Sequence, residues 1–105
     1  MSDLALVYAL YPDHGSARDA AHAMIERRLA ACANIMAGIR SVYRWEGAVR
    51  EEDEVPVLFK TTQDQAEGLT RALAESHPYA VPAILRWPAG ATAPYTGWVT
   101  QETIG

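Results

Sequence analysis

Two side chains of this sequence carry the types best suited to metal chemistry. They are its one thiol, Cys32, and the histidine ahead of a proline, His77. A cysteine thiolate is a soft ligand suited to Cu(I), and imidazole is a common metal ligand. Each also has a plainer reading. Cys32 sits between Ala31 and Ala33, where a helical pattern passes into an extended one, and free cysteine is among the most buried residue types. Pro78 stops the preceding helix near Ser76 or His77, and a charged imidazole there can simply face the last carbonyls. Both readings stay open for both residues.

Trp45, Lys60, Tyr79, Tyr95 and Trp98 form a second kind of constellation. Aromatic rings with one cation suit a pocket between subunits for a small anion or a planar ligand. The same residues also suit plain interface packing, since aromatics concentrate at subunit contacts. His14 and His22 have no Cys or His at ligand spacing between them and read as surface residues. Glu51-Glu52-Asp53-Glu54 reads as a solvated charge run, because an extended chain points alternate carboxylates apart. No nucleophile–base pair, Gly-rich phosphate loop or Cys-x-x-Cys stands out, so no reaction is predicted.

The elements that must position these residues follow from periodicity. The nearly unbroken apolar run Leu4–Tyr11 predicts a strand buried on both faces. Pro12 to Gly15 ends it, and Asp13 or Ser16 can cap an amphipathic helix built on Ala17, Ala20, Ala21, Met24, Ile25 and Leu29, ending near Ala31. Two extended stretches, 34–46 and 48–60, flank Glu46-Gly47 and read as one hairpin. Thr62-Gln63-Asp64-Gln65 has the form of a capping box before a second helix. Val81 to Trp87 predicts a last strand with Pro82 at its beginning or on an edge, and 92–103 a short C-terminal helix opened by Pro94. The order is β-α-β-β-α-β plus a tail helix: an α+β, ferredoxin-like split βαβ arrangement with a long central hairpin.

With 105 residues, half of them hydrophobic and 21% charged, the chain predicts a single domain spanning 1–105 rather than a disordered or membrane protein. Leu4–Tyr11 falls far short of the ~18 apolar residues that span a bilayer. It has neither a basic segment before it nor a small-residue cleavage site after it, and the lone cysteine has no partner in the chain, so a cytoplasmic setting is expected. A net charge of −4 and a pI of about 5.2 argue against nucleic acid. The hairpin strands, at about 12 residues, are roughly twice the usual length, and the ribbon would reach about 40 Å. Its outer part carries Val42, Tyr43, Trp45 and Val49. An isolated ribbon is marginal in water, so contact between copies of the chain is expected.

The segments 29–35 (LAACANI), 41–47 (SVYRWEG), 59–62 (FKTT) and 77–82 (HPYAVP) resemble the signature blocks of the CutA divalent-cation tolerance family, in register over nearly the whole chain. The resemblance implies a ferredoxin-like subunit, a tight homotrimer whose long hairpins pair between neighbours, a shape similar to the trimeric PII signalling proteins, and no established enzymatic reaction. It implies a role in tolerance to divalent metals, copper above all, with Cys32 and His77 at the positions linked to copper. Copper-binding relatives carry a further cysteine where this chain has Ala9-Leu10-Tyr11, and some a second histidine where it has Ser76. A closed site from these positions within one subunit is therefore not expected, and copper binding is expected to be weak. The rival expectations are a PII-like sensor holding a small anion between subunits, and a structural or docking trimer.

Overall fold

Alternation along β1 (Leu4–Tyr11) decides the layering. In the computed structural model, which describes residues 3–103, Val7, Ala9 and Tyr11 face inward and are buried, while Leu6, Tyr8 and Leu10 face the other side and are half-buried. The run is thus fully covered on one face only. It pairs antiparallel with β4 (Ala48–Thr62) and β5 (Ile84–Ala89), and β4 pairs outward with β2 (Cys32–Ile35). The strand order β2-β4-β1-β5 is that of the ferredoxin-like arrangement. Helices α1 (His14–Glu26) and α2 (Gln63–Ser76) cover one face, and Met24, Leu69 and Leu73 meet Val7, Val57 and Phe59 in the core. Helix α3 (Ala93–Glu102) covers the Leu4 end with Val99 packed on Leu4 and Ala31.

Capping explains where the helices begin and end. Asp13 caps α1, its Oδ1 accepting from the Ser16 N–H at 2.7 Å. The helix ends at Glu26 rather than near Ala31, because Arg28 turns left-handed at φ 58°. Its N–H then bonds the Ile25 carbonyl and that of Leu29 the Met24 carbonyl, both at 3.0 Å, which is the Schellman pattern. Thr62 caps α2 by accepting from the Gln65 N–H at 3.2 Å. The Gln65 amide does not reach back as a capping box requires; it donates to the Thr103 carbonyl at 3.1 Å and ties α3 down. Thr62→Ala is expected to lower stability by about 1 kcal/mol. A urea titration checks this, and an unchanged midpoint would mean the cap bond contributes nothing.

The expected continuous strand over 34–46 is two strands, β2 and β3 (Ile39–Trp45). Ile35 pairs with Val57 but Ile39 with Glu54, so the three residues between on one strand oppose two on the other. That is a β-bulge, and it bends the ribbon out of the sheet. It lies opposite Pro56, whose carbonyl accepts from the Met36 N–H at 2.9 Å and which has no N–H to give the ladder. At the tip Glu46 and Gly47 take φ of 49° and 79°, the type I′ hairpin turn. The ribbon stretches the molecule to 45 Å against 26 and 23 Å across. The last strand begins at Ile84, later than expected, after Pro82; Pro88 sits within β5 on the edge, where a missing N–H breaks no ladder bond.

Candidate functional site

His77 lies at the C-cap of α2 and is 9% exposed. Its Nε2 is 2.6 Å from the Leu10 carbonyl oxygen, and its Nδ1 accepts the Tyr79 N–H at 3.1 Å. A carbonyl on one side and an N–H on the other fix the neutral tautomer with the proton on Nε2. Both nitrogens are therefore engaged, and no lone pair is left for a metal. The ring stacks on Tyr11 at 4.5 Å and meets Tyr79 at 4.9 Å. Burial pulls the imidazole below its ordinary range, against weaker opposing effects of the Leu10 carbonyl and the Glu54 carboxylate. Tyr11 is buried too, its hydroxyl without a partner among the described residues, and burial pushes it up to about 12.

Cys32 is at the other end of the sheet. It stands opposite Lys60, which pairs with Leu6, whereas His77 lies against Leu10. Four residues along β1 are about 13 Å. The half-buried thiol contacts the Asn34 side chain at 3.7 Å, and burial with the nearby Cys32 pushes the Tyr95 phenol up. The two soft ligands read from sequence thus do not meet within one chain. Among the described residues no group of three or more His, Cys, Asp or Glu side chains is placed to hold a metal ion. His14 and His22 are exposed.

Within one chain the five aromatic and basic residues fall in two places. Lys60 holds its ammonium 5.9 Å from the Tyr95 ring centre, and Tyr95 meets Trp98 at 5.7 Å, beside Cys32. Trp45 and Tyr79 instead line a cavity of about 480 Å³ along one face of the ribbon, together with Tyr43, Arg50, Glu52 and Glu54. The ribbon register puts them there: Tyr43 pairs with Arg50 and Ser41 with Glu52, so alternate residues of both strands share that face. The Tyr43 hydroxyl donates to Glu52, and the Tyr79 hydroxyl donates to Glu54 Oε2 at 3.1 Å.

The acidic run is accordingly split by the pleat. Glu51 and Asp53 sit in solvent on the opposite face, both paired with Arg40 at 3.1 and 3.0 Å. Glu54, expected to be solvated, is 8% exposed, because the 77–83 segment and Tyr79 close over it. Burial first, then its bond to Glu54, raises the Tyr79 phenol well above its ordinary value. From the sequence, Glu52 and Glu54 read as part of a solvated charge run and Tyr43 as part of the ribbon's outer surface, and none of the three was assigned to a site. Counting in twos from the turn pair Trp45–Ala48 places all three on one face.

Residues 5–102 match the family described as CutA1 divalent ion tolerance protein. The chain belongs to the CutA1 family. It is 39% identical over 99 residues to the divalent-cation tolerance protein CutA of Thermus thermophilus, covering 93% of this chain and 96% of that protein. It is 35% identical over 99 residues to the chloroplastic protein CutA of Arabidopsis thaliana, of which it spans 54%. The crystal structure of CutA1 from Ehrlichia chaffeensis superposes with a TM-score of 0.93 at 32% identity, covering 99% of this chain and 98% of that one. The CutA1 fold expected from the four sequence blocks is thus the fold found. Among the described residues no helix is long and apolar enough to cross a membrane.

Proposed function

We infer that this CutA1 chain is a non-enzymatic, homotrimeric cytoplasmic protein of divalent-metal tolerance whose own contact with copper is weak. The family match over residues 5–102 carries this reading. Assembly is supported by the uncovered face of the sheet, where Leu58, Tyr8 and Leu85 stand in one lateral row and Lys60, Leu6 and Trp87 in the next. It is supported too by the projecting ribbon, whose tip residue Trp45 is 42% exposed in the single chain. Weak copper binding is supported by the engagement of both His77 nitrogens, which leaves Cys32 as the one thiol donor in this chain.

A Cu(I) competition titration with a chelator of known affinity tests it. The chain is expected to hold copper weakly, Cys32→Ser to abolish that binding, and His77 substitution to matter only through stability. Stoichiometric tight binding that survives Cys32→Ser would overturn the assignment.

The cavity between Tyr79, Glu54 and the ribbon favours a second reading, that of a small-molecule sensor. Its two carboxylates against one guanidinium do not suit the small anion expected from Lys60 and the aromatic residues.

A further inference from the structure

His77 is buried and titratable, and nothing in the metal-tolerance reading uses it. It ends α2 and begins the 77–83 segment, a strap without helix or strand that leads to β5. Among the described residues few hydrogen bonds tie this strap to the rest of the chain. Nε2 of His77 holds the Leu10 carbonyl at 2.6 Å, the Tyr79 hydroxyl donates to Glu54 Oε2 at 3.1 Å, and the Ala83 carbonyl accepts the Leu10 N–H at 3.3 Å. Within the strap, Nδ1 of His77 accepts the Tyr79 N–H at 3.1 Å and fixes the turn through Pro78. The ring lies against Tyr11 at 4.5 Å and Tyr79 at 4.9 Å. All these contacts are internal to one chain, and His77, Glu54 and Tyr11 are each less than a tenth exposed in it. Contact with a second copy can only bury them further, so the argument does not depend on an open surface.

A proton on Nδ1 has no acceptor here. It meets the Tyr79 N–H, donor against donor, in a site closed to water. The titratable groups facing the ring are Tyr11 of β1, Tyr79 of the strap and Glu54 of β4. Burial keeps both phenols neutral far above pH 7. The Leu10 carbonyl and Glu54 favour a charged ring but offset its burial only in part. The charged imidazole is therefore better placed in water. Reaching water breaks the few bonds of the strap, whereas global unfolding breaks the whole core, and proteins open first where the fewest contacts hold. The closed strap is favoured above about pH 6.5, where a free imidazole is neutral, and is weakened as the pH falls below that value. One proton taken up on opening raises the opening constant by up to tenfold per pH unit.

We propose that His77 is an acid-operated latch: a proton on Nδ1 expels the ring from its place between Tyr11 and Tyr79 and releases the 77–83 strap while the core between helices and sheet stays folded. The latch is independent of the metal-tolerance reading.

Amide and imidazole nitrogen spectra of the ¹⁵N-labelled full chain, recorded from about pH 7.5 to 4.5, test it. The ring is expected to show the Nε2–H tautomer at pH 7.5. Below about pH 6.5 the amides of Tyr79, Ala80 and Val81 should move toward unfolded positions with the midpoint of the ring, while those of Val7 and Phe59 stay in place. His77→Asn keeps an acceptor for the Tyr79 N–H, as in an Asx turn, but cannot take up the proton, so its strap amides should not respond. Because this variant also strips the Leu10 carbonyl of its donor, Glu54→Gln serves beside it. It keeps an acceptor for the Tyr79 hydroxyl, removes the charge that favours the cation, and should move the midpoint to lower pH. Strap and core amides moving together, a ring that titrates with no movement of the strap, or a response that persists in His77→Asn or disappears in Glu54→Gln would each overturn the proposal. Light scattering at each pH keeps the homotrimer reading separate. Strap shifts that appear only as the assembled mass falls would place the acid effect at the contact between copies and overturn the latch, whereas strap shifts in a protein of one-chain mass throughout would remove the homotrimer and uphold the latch.

Discussion

Leu85→Glu is expected to convert the proposed homotrimer into a folded monomer. Leu85 lies on the edge strand β5, is 55% exposed in the single chain, and continues a lateral row through Tyr8 to Leu58 on the sheet face that neither α1 nor α2 covers. Helix α3 shields only the Leu4 end of that face. An apolar row open to water is the kind of surface that a contact between copies buries. A carboxylate introduced there loses its hydration without gaining a partner, at several kcal/mol per copy, and a closed trimer repeats the loss three times. The substitution touches nothing in the core between the helices and the sheet, so far-UV circular dichroism should be unchanged. Light scattering should fall from about three times the 11.5 kDa chain mass to one. If Leu85→Glu keeps the assembled mass, the open face is not where the copies meet.

How much of this was legible in the sequence varies with the range of the interaction. The strands, the helices and their caps were, because they depend on spacing within a few residues: Asp13 and Thr62 cap the helices that their positions announce. The ferredoxin-like order was legible from the same periodicity, and the four family blocks implied the same fold. What periodicity could not give was the bulge between Ile35 and Ile39, since an extra residue leaves no mark until the partner strand is known. The bulge bends the ribbon beside Glu54, which lines the inner end of the cavity. Long-range placement was also hidden. Cys32 and His77 suit one metal, yet strand register puts them at opposite ends of β1. Glu54 belongs to an acidic run that looks solvated, and only the return of the chain through Tyr79 buries it.

The environment of His77 predicts the other large effect. Read from sequence it is a helix-end residue whose loss should cost no more than ~1 kcal/mol, as for a surface change. In the fold, His77→Ala strips the Leu10 carbonyl and the Tyr79 N–H of their partners and removes the ring stacked on Tyr11. Unsatisfied buried groups cost about 1–3 kcal/mol each, so a loss of roughly 3 kcal/mol is expected. The same geometry sets a pH dependence. A second proton on Nδ1 would face the Tyr79 N–H donor, and burial lowers the affinity for it, while Glu54 and the Leu10 carbonyl oppose that shift only in part. Unfolded histidine titrates near 6.5. Below that pH the unfolded chain gains a proton that the folded chain resists. Stability is therefore full above about pH 6.5 and declines as the pH falls toward the lowered folded value, below which the decline from this group stops. Denaturant unfolding at a series of pH values between about 7 and 5, on the native chain and on His77→Ala, separates this contribution from those of the carboxylates. The native chain should lose more stability over that interval than the variant. Equal slopes together with a small loss in His77→Ala would make the imidazole a solvent-facing group, and the tautomer fixed between Leu10 and Tyr79 would have no energetic weight.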